Sequence, residues 1–130
     1  MLRRSVHGII GPLLKMTNAE RYQFTRMTCN LVKNMRQLKK PILAAVNGIA
    51  AGADAMLMLA SDLRIFSDQA RVTFLFVKVG LSGANMGALH LLPRIVGLGK
   101  ATELVSSAIP LMPLRLIASV WLIALCRRTN

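Results

Sequence analysis

The side chains that most often carry chemistry in enzymes are sparse in this sequence and form no familiar motif. Ser82, Asp62 and either His7 or His90 could be drawn together as a serine-hydrolase triad. The Gly-x-Ser-x-Gly turn that exposes such a nucleophile is absent around Ser82, however. We therefore expect Ser82 to be a loop residue that is unrelated to the two histidines.

The glycine-rich segment and the two cysteines also do not match known ligand-binding motifs. Gly97–Thr102 begins like a phosphate-binding loop, but Thr102 stands where the third glycine should be, and Ala101 follows the lysine in place of Ser or Thr. Cys29 and Cys126 lie far apart and belong to no Cys/His cluster. The sequence therefore predicts no nucleotide loop, metal site or disulfide, and it suits a reduced, cytoplasmic setting.

Composition limits the chain to one small domain with a basic surface. Its 130 residues can form a single core. Lys and Arg number 17 against 5 Asp and Glu, and the net charge of +12 would attract phosphates, nucleic acid or anionic membranes. Aromatic residues make up only 5% and the basic residues are scattered, so we expect no nucleic-acid partner. The basic start of the chain is also typical of a transit peptide, although Gly11-Pro12 interrupts its apolar run.

Capping signals and periodicity predict several helices. Thr17-Asn18-Ala19-Glu20 is a capping box, and the helix that starts there should end before Pro41. Ala53–Ala60 predicts a buried helix, Asn85 could cap another that runs toward Pro93, and a further helix is expected around residues 100–106. In the first helix, apolar residues recur at steps of three and four and predict a core-facing stripe: Phe24, Met27, Leu31, Met35 and Leu38.

Three short apolar runs predict strands between these helices, at residues 42–46, 63–66 and 72–76. Asn47-Gly48 and Gly52 indicate a turn-rich loop before the buried helix. Alternation of such strands with helices is typical of the α/β class.

The segment from Lys40 to Arg71 resembles the signature of the enoyl-CoA hydratase/isomerase (crotonase) family. It has a Lys-Pro entry, a strand that ends in Asn-Gly, a glycine-rich turn, a buried helix and an Asp-x-Arg strand, in the order KPILAAVNGIAAGADAMLMLASDLRIFSDQAR. The similarity continues through Leu104 and spans residues 5–109. It implies the crotonase-like ββα spiral fold, incomplete here, and a partial domain over residues 1–109.

The resemblance implies an acyl-CoA thioester as substrate, with coenzyme A as part of the substrate and no separate cofactor. In the family two backbone amides stabilise the enolate oxygen that forms during hydration or double-bond isomerisation. Carried onto this sequence, one amide is that of Ala53, which follows Gly52, and the other is that of Arg4. Family members usually assemble as homotrimers or hexamers.

The acid/base carboxylates of the family have no counterpart at the matching positions. The two hydratase glutamates align with Met56 and Phe76, and the dienoyl-CoA isomerase carboxylates align with Met56, Val77 and Asn85. A thioether, an aliphatic chain and a carboxamide cannot transfer a proton near neutral pH. We therefore expect impaired catalysis, with Asn85 marking the position of a carboxylate in relatives with a similar loop.

Residues 110–130 form an atypical apolar tail. When plausible codons for residues 111–124 are read from the third base, they give DAAEAYRFGVADR, which resembles the missing family segment. A frameshift is one explanation of this tail. Such an apolar segment would also be prone to aggregation.

Three functions remain open at this stage. The first is an enzyme of the family that acts on an acyl-CoA with reduced activity. The second is a catalytically inactive fragment that retains an acyl-CoA-binding or protein-binding surface. The third is a basic membrane-associated peptide whose terminal arginines face anionic lipid, although the apolar tail is too short to span a bilayer and we expect no membrane attachment.

Overall fold

Helices and strands alternate along the chain, as the sequence predicts. The computed structural model describes residues 12–13, 15–110 and 124–126, the last three through their backbone. The α-helices are α1 (Asn18–Gln37), α2 (Ala53–Ala60), α3 (Ala88–Val96) and α4 (Leu98–Ser107). The strands are β1 (Leu43–Val46), β2 (Ile49–Ala51), β3 (Leu63–Ser67), β4 (Arg71–Thr73) and β5 (Ala124–Cys126). Two 3-10 segments, Leu75–Val79 and Asn85–Gly87, lie between β4 and α3.

The capping box at the start of α1 is confirmed. The Thr17 backbone N–H donates to Glu20 Oε2 at 2.7 Å, and the Glu20 N–H donates to Thr17 Oγ1 at 3.3 Å. Each side chain therefore satisfies an amide that the helix leaves without a partner. The Glu20 carboxylate accepts from the Thr17 backbone N–H and, at 2.8 Å, from the Thr17 hydroxyl, and these two bonds, the backbone one first, lower the pKa of the Glu20 carboxyl.

The predicted core stripe of α1 is largely wrong. Met27 is 60%, Leu31 47% and Leu38 60% exposed, whereas Val32 is buried. Phe24 and Met35 are half-buried. The helix packs against α2 and the Asn85–Gly87 turn through the face centred on Val32. The apolar face of α1 is wider than the surface of the described elements that packs against it, so part of this face is exposed to solvent.

All described strand pairs are parallel. The larger sheet has the order β1-β3-β5, with Leu43 opposite Leu63 and Ile65 opposite Ala124. β2 pairs with β4 in a second, two-stranded sheet. Parallel pairing requires crossovers, and α2 provides the crossover between β1 and β3.

Asp62 ties three elements together where β1 and β3 begin. Its carboxylate accepts from the Ile42 backbone N–H at 2.9 Å and from Arg36 Nη1 at 2.9 Å. The hydrogen bond from Ile42 is the main reason that the pKa of the Asp62 carboxyl is lowered, and Arg36 adds to the effect. The end of α1 is thereby fixed relative to both strands.

The strands depart from the prediction in three places. β2 forms within the segment predicted as a turn-rich loop, and the strand predicted over residues 72–76 ends at Thr73 and passes into a 3-10 helix. β5 lies in the apolar tail, where no strand was predicted. The first two departures arise because very short parallel strands are defined by their partners in the sheet rather than by local sequence.

The core surrounds α2. Ala55, Met56, Met58, Leu59 and Ala60 of this helix are buried. They belong to one cluster with residues of β3, β4 and the following segments, among which Phe66, Val72, Phe74 and Leu92 have almost no exposed surface. The predicted helix over Ala53–Ala60 is confirmed, and most of its residues are buried, although Asp54 is exposed.

Candidate functional site

The predicted amide donor, Ala53, lies at the start of α2, directly after Gly52. Gly52 has φ 57° and ψ −112°, a conformation that favours glycine. Its N–H donates to the Thr73 carbonyl at 3.0 Å, and its carbonyl accepts from the Met56 N–H at 3.1 Å. α2 then begins at Ala53, where the first amides have no partner within the helix and lie at the positive end of its dipole. The turn therefore offers backbone donors to an oxygen that carries negative charge.

An aromatic ring lies beside this turn. A Cβ added at Gly52 would come 4.0 Å from Phe76 Cε1. Phe76 is 5% exposed, and Met56, one turn into α2, has no exposed surface. The structure therefore brings Gly52, Ala53, Met56 and Phe76 together. Met56 and Phe76, where the resemblance implies the family's glutamates, are packed in the apolar core.

Asn85 lies in a tight turn rather than at the cap of an α-helix. Its N–H donates to the Ser82 carbonyl at 3.0 Å, and its Oδ1 accepts from the Met86 N–H at 3.0 Å. Met86 is left-handed with φ 53°, Gly87 follows with φ 83°, and α3 begins only at Ala88. The expectation that Asn85 caps this helix is therefore wrong, because two left-handed residues separate them. The Asn85–Gly87 turn contacts both α1 and α2.

Arg4 and Ser82 are the remaining predicted residues, and the structure describes only Ser82. Arg4, which the resemblance assigns as the second amide donor, lies outside the described residues. Ser82 is exposed and its hydroxyl accepts from the Ala84 N–H at 3.2 Å, as a loop residue does.

A cavity of about 270 Å³ opens beside β1 and α2. Its walls come mainly from apolar residues of β1, β2 and α2, with Met35 of α1. Asn47, Asp54 and Ser61 are the polar side chains among its lining residues. Asp54 is exposed and occupies the second position of α2, directly after Ala53.

The parallel strands, the buried crossover helix and the glycine turn at its start define the class of protein as an α/β protein of the crotonase-like fold. A crystal structure from Streptomyces coelicolor A3(2), assigned as an enoyl-CoA hydratase, superposes with a TM-score of 0.91 at 41% identity, over 95% of this chain and 45% of that one. An enoyl-CoA hydratase/isomerase from Cupriavidus metallidurans CH34 superposes with a TM-score of 0.85 at 29% identity, over 95% and 46%.

The sequence profile of the family described as enoyl-CoA hydratase/isomerase matches residues 11–113. The chain belongs to this family. It is 42% identical over 74 residues to the 1,2-epoxyphenylacetyl-CoA isomerase of Escherichia coli (strain K12), which is 57% of this chain and 28% of that protein. It is 34% identical over 104 residues to the trans-2-decenoyl-(acyl-carrier-protein) isomerase of Streptococcus mutans serotype c, which is 77% of this chain and 39% of that protein.

The chain thus spans less than half the length of the relatives that it matches. Its fold is the crotonase-like fold and is incomplete with respect to those full-length proteins. In the part of the chain that the structure describes, every helix is too short or too polar to cross a membrane.

Proposed function

We propose that this protein binds an acyl-CoA thioester and stabilises the enolate derived from it, with the Ala53 amide as a hydrogen-bond donor to the thioester oxygen. The observation that carries the proposal is the backbone at Gly52–Ala53, where a positive-φ glycine is followed at once by the start of a buried helix. A thioester oxygen placed there gains negative charge as the enolate forms, and fixed amide dipoles stabilise that charge. The chemistry is hydration or double-bond isomerisation of an enoyl-CoA.

The catalytic rate is expected to be low. Met56 and Phe76 stand where the family has proton-transferring glutamates, and both are packed in the core. Asn85 carries a carboxamide whose oxygen already accepts a backbone N–H. Loss of a general acid or base typically costs about 10²–10⁴ in rate, so binding should survive better than turnover.

Two relatives support the substrate class by their names, since the E. coli protein is an isomerase of an acyl-CoA and the S. mutans protein is an isomerase of an acyl-carrier-protein thioester. Both substrates are thioesters of an unsaturated or strained acyl group. We propose the coenzyme A form for this chain because its family model is that of enoyl-CoA hydratase/isomerase.

Ala53→Pro is the sharpest test because it removes one N–H and keeps the Cβ. Ala53 is the first residue of α2, a position where proline is well tolerated. We expect the affinity for butanoyl-CoA to fall by about 3- to 10-fold, the value of one net hydrogen bond. Isothermal titration calorimetry would measure this change.

Ala53→Ser serves as the matched control, since it changes the side chain and keeps the amide. It should bind butanoyl-CoA as the unsubstituted chain does, and circular dichroism should show that both variants are folded. Equal affinities of Ala53→Pro and Ala53→Ser would refute the role of the amide. Absence of butanoyl-CoA binding by the unsubstituted chain would refute the proposed function as a whole.

A further inference from the structure

Phe76 lies against the glycine turn that presents the proposed amide donor. A Cβ added at Gly52 would come 4.0 Å from Phe76 Cε1, which is ordinary van der Waals contact. The Ala53 nitrogen is two covalent bonds from the Gly52 Cα, so Phe76 Cε1 lies no more than about 8 Å from that nitrogen. An oxygen that accepts from this amide lies about 2.9 Å from the nitrogen. This spacing allows the ring to contact the first carbons of an acyl group held at Ala53.

The Phe76 ring is fixed by the core of the molecule. Phe76 is 5% exposed and belongs to the same buried cluster as Met56 and Phe74. Its backbone is part of the 3-10 segment Leu75–Val79, and its carbonyl accepts from the Leu81 N–H at 2.9 Å. Side chains in a close-packed interior do not move aside without a loss of contacts. The edge of the ring beside Gly52 is therefore a rigid surface.

We propose that Phe76 determines which acyl groups the site accepts, by limiting the space beside the carbons nearest the thioester. This inference rests on the proposed function and narrows its substrate class to thioesters of straight-chain acyl groups. A branch at the carbon next to the carbonyl adds a methyl group where a straight chain has a hydrogen. A methyl group pressed against a fixed ring is an overpacked contact, which is unfavourable. The selection is steric, because the ring carries no hydrogen-bonding group.

Butanoyl-CoA and 2-methylpropanoyl-CoA are a matched pair of ligands for this proposal. Their acyl groups contain the same atoms and differ only in branching, so the ratio of their affinities reports shape. Calorimetry with the full chain measures both affinities. We expect the unsubstituted chain to bind butanoyl-CoA at least about 10-fold more tightly, which is the lower end of the discrimination that apolar pockets reach for one methylene group. Equal affinities would overturn the inference.

Phe76→Leu tests whether the ring causes this preference. Leucine lacks the Cε and Cζ atoms of the ring, and a Cε atom is the one that lies against Gly52. We expect the preference for butanoyl-CoA to fall to about 3-fold or less, through tighter binding of 2-methylpropanoyl-CoA. Phe76→Met replaces the ring with a flexible chain that fills core space more readily, and it should give an intermediate preference. If Phe76→Leu does not fold, the preference of Phe76→Met decides.

Phe74→Leu is the matched control. It shortens a ring that is 1% exposed and has no atom within 4 Å of the Cβ position at Gly52. This variant should keep the preference of the unsubstituted chain, and circular dichroism should show which variants are folded. An unchanged preference in the folded Phe76 variants, or the same decrease in Phe74→Leu, overturns this inference alone when the chain binds butanoyl-CoA. Failure of the unsubstituted chain to bind either thioester overturns the proposed function and this inference with it.

Discussion

Met56 and Asn85 lie in two different environments, and the family resemblance implies a carboxylate at both positions. Met56 is fully buried on α2 and packed within the main core cluster. Asn85 is half-buried in a turn, where it makes two hydrogen bonds with its own segment. The comparison teaches that the core packs closely around the side chain at position 56 and leaves the side chain at position 85 partly exposed. A carboxylate should therefore be tolerated at position 85 and not at position 56.

Met56→Glu should have the largest effect on stability. Its carboxylate would be buried without a partner, and an uncompensated charge of this kind costs about 3–5 kcal/mol. Chemical denaturation would measure the loss. Met27→Glu is the matched control, since Met27 is 60% exposed and the same change should stay within about 0.5 kcal/mol. Similar losses of stability in Met56→Glu and Met27→Glu would show that the two positions do not differ in environment.

Asn85→Asp should instead increase catalysis with little change in stability. The carboxylate that this substitution introduces would keep an oxygen that accepts the Met86 N–H, so the turn geometry is preserved. A restored acid/base group adds about 10²–10⁴ to the rate where it is the missing component. Consumption of (E)-but-2-enoyl-CoA, followed by NMR, would report both hydration and isomerisation. A folded variant that binds the substrate and shows no gain would place Asn85 outside the reacting centre.

Acid should weaken the contacts that Asp62 makes with α1 and with the start of β1. The pKa of Asp62 is lowered in the folded chain, chiefly by the Ile42 N–H, so its contribution is present above its unfolded pKa of about 3.9. That contribution is lost as the pH falls through the lower folded pKa. The capping carboxylate of Glu20 acts in the same direction.

We expect the thermal midpoint of the chain to decrease below about pH 4. The decrease should be smaller in Asp62→Asn, which has already lost the charge. Asp68→Asn, at a residue in the exposed β3–β4 turn, is the control and should follow the unsubstituted chain. If the thermal midpoint of Asp62→Asn decreased in acid as much as that of the unsubstituted chain, Asp62 would not contribute to the acid dependence of stability.

α1 exposes several apolar side chains, in contrast to α2, which is mostly buried. Met27, Leu31 and Leu38 have the periodicity of a core stripe, and much of their surface is exposed in the described chain. The relatives are more than twice as long as the region that they share with this chain. Periodicity thus indicates that a surface can be buried, and the rest of the fold decides whether it is.

Local sequence determined those elements whose ends are set by particular side chains. The capping box gave the start of α1, and the small, apolar residues of Ala53–Ala60 gave α2 with its correct bounds. The run of motifs from Lys40 to Arg71 also identified the family, which the profile match and the superpositions confirm. Helix caps and glycine turns act over a few residues, which is why these features can be read from sequence.

Tertiary structure alone decided the remaining features. β2 and β5 are three residues each and exist through their pairing with β4 and β3. The burial of Met56 beside the exposure of Met27, and the placement of Asp54 at a cavity, depend on which elements pack together. Burial and proximity are properties of contacts between distant segments, and a one-dimensional pattern does not contain them.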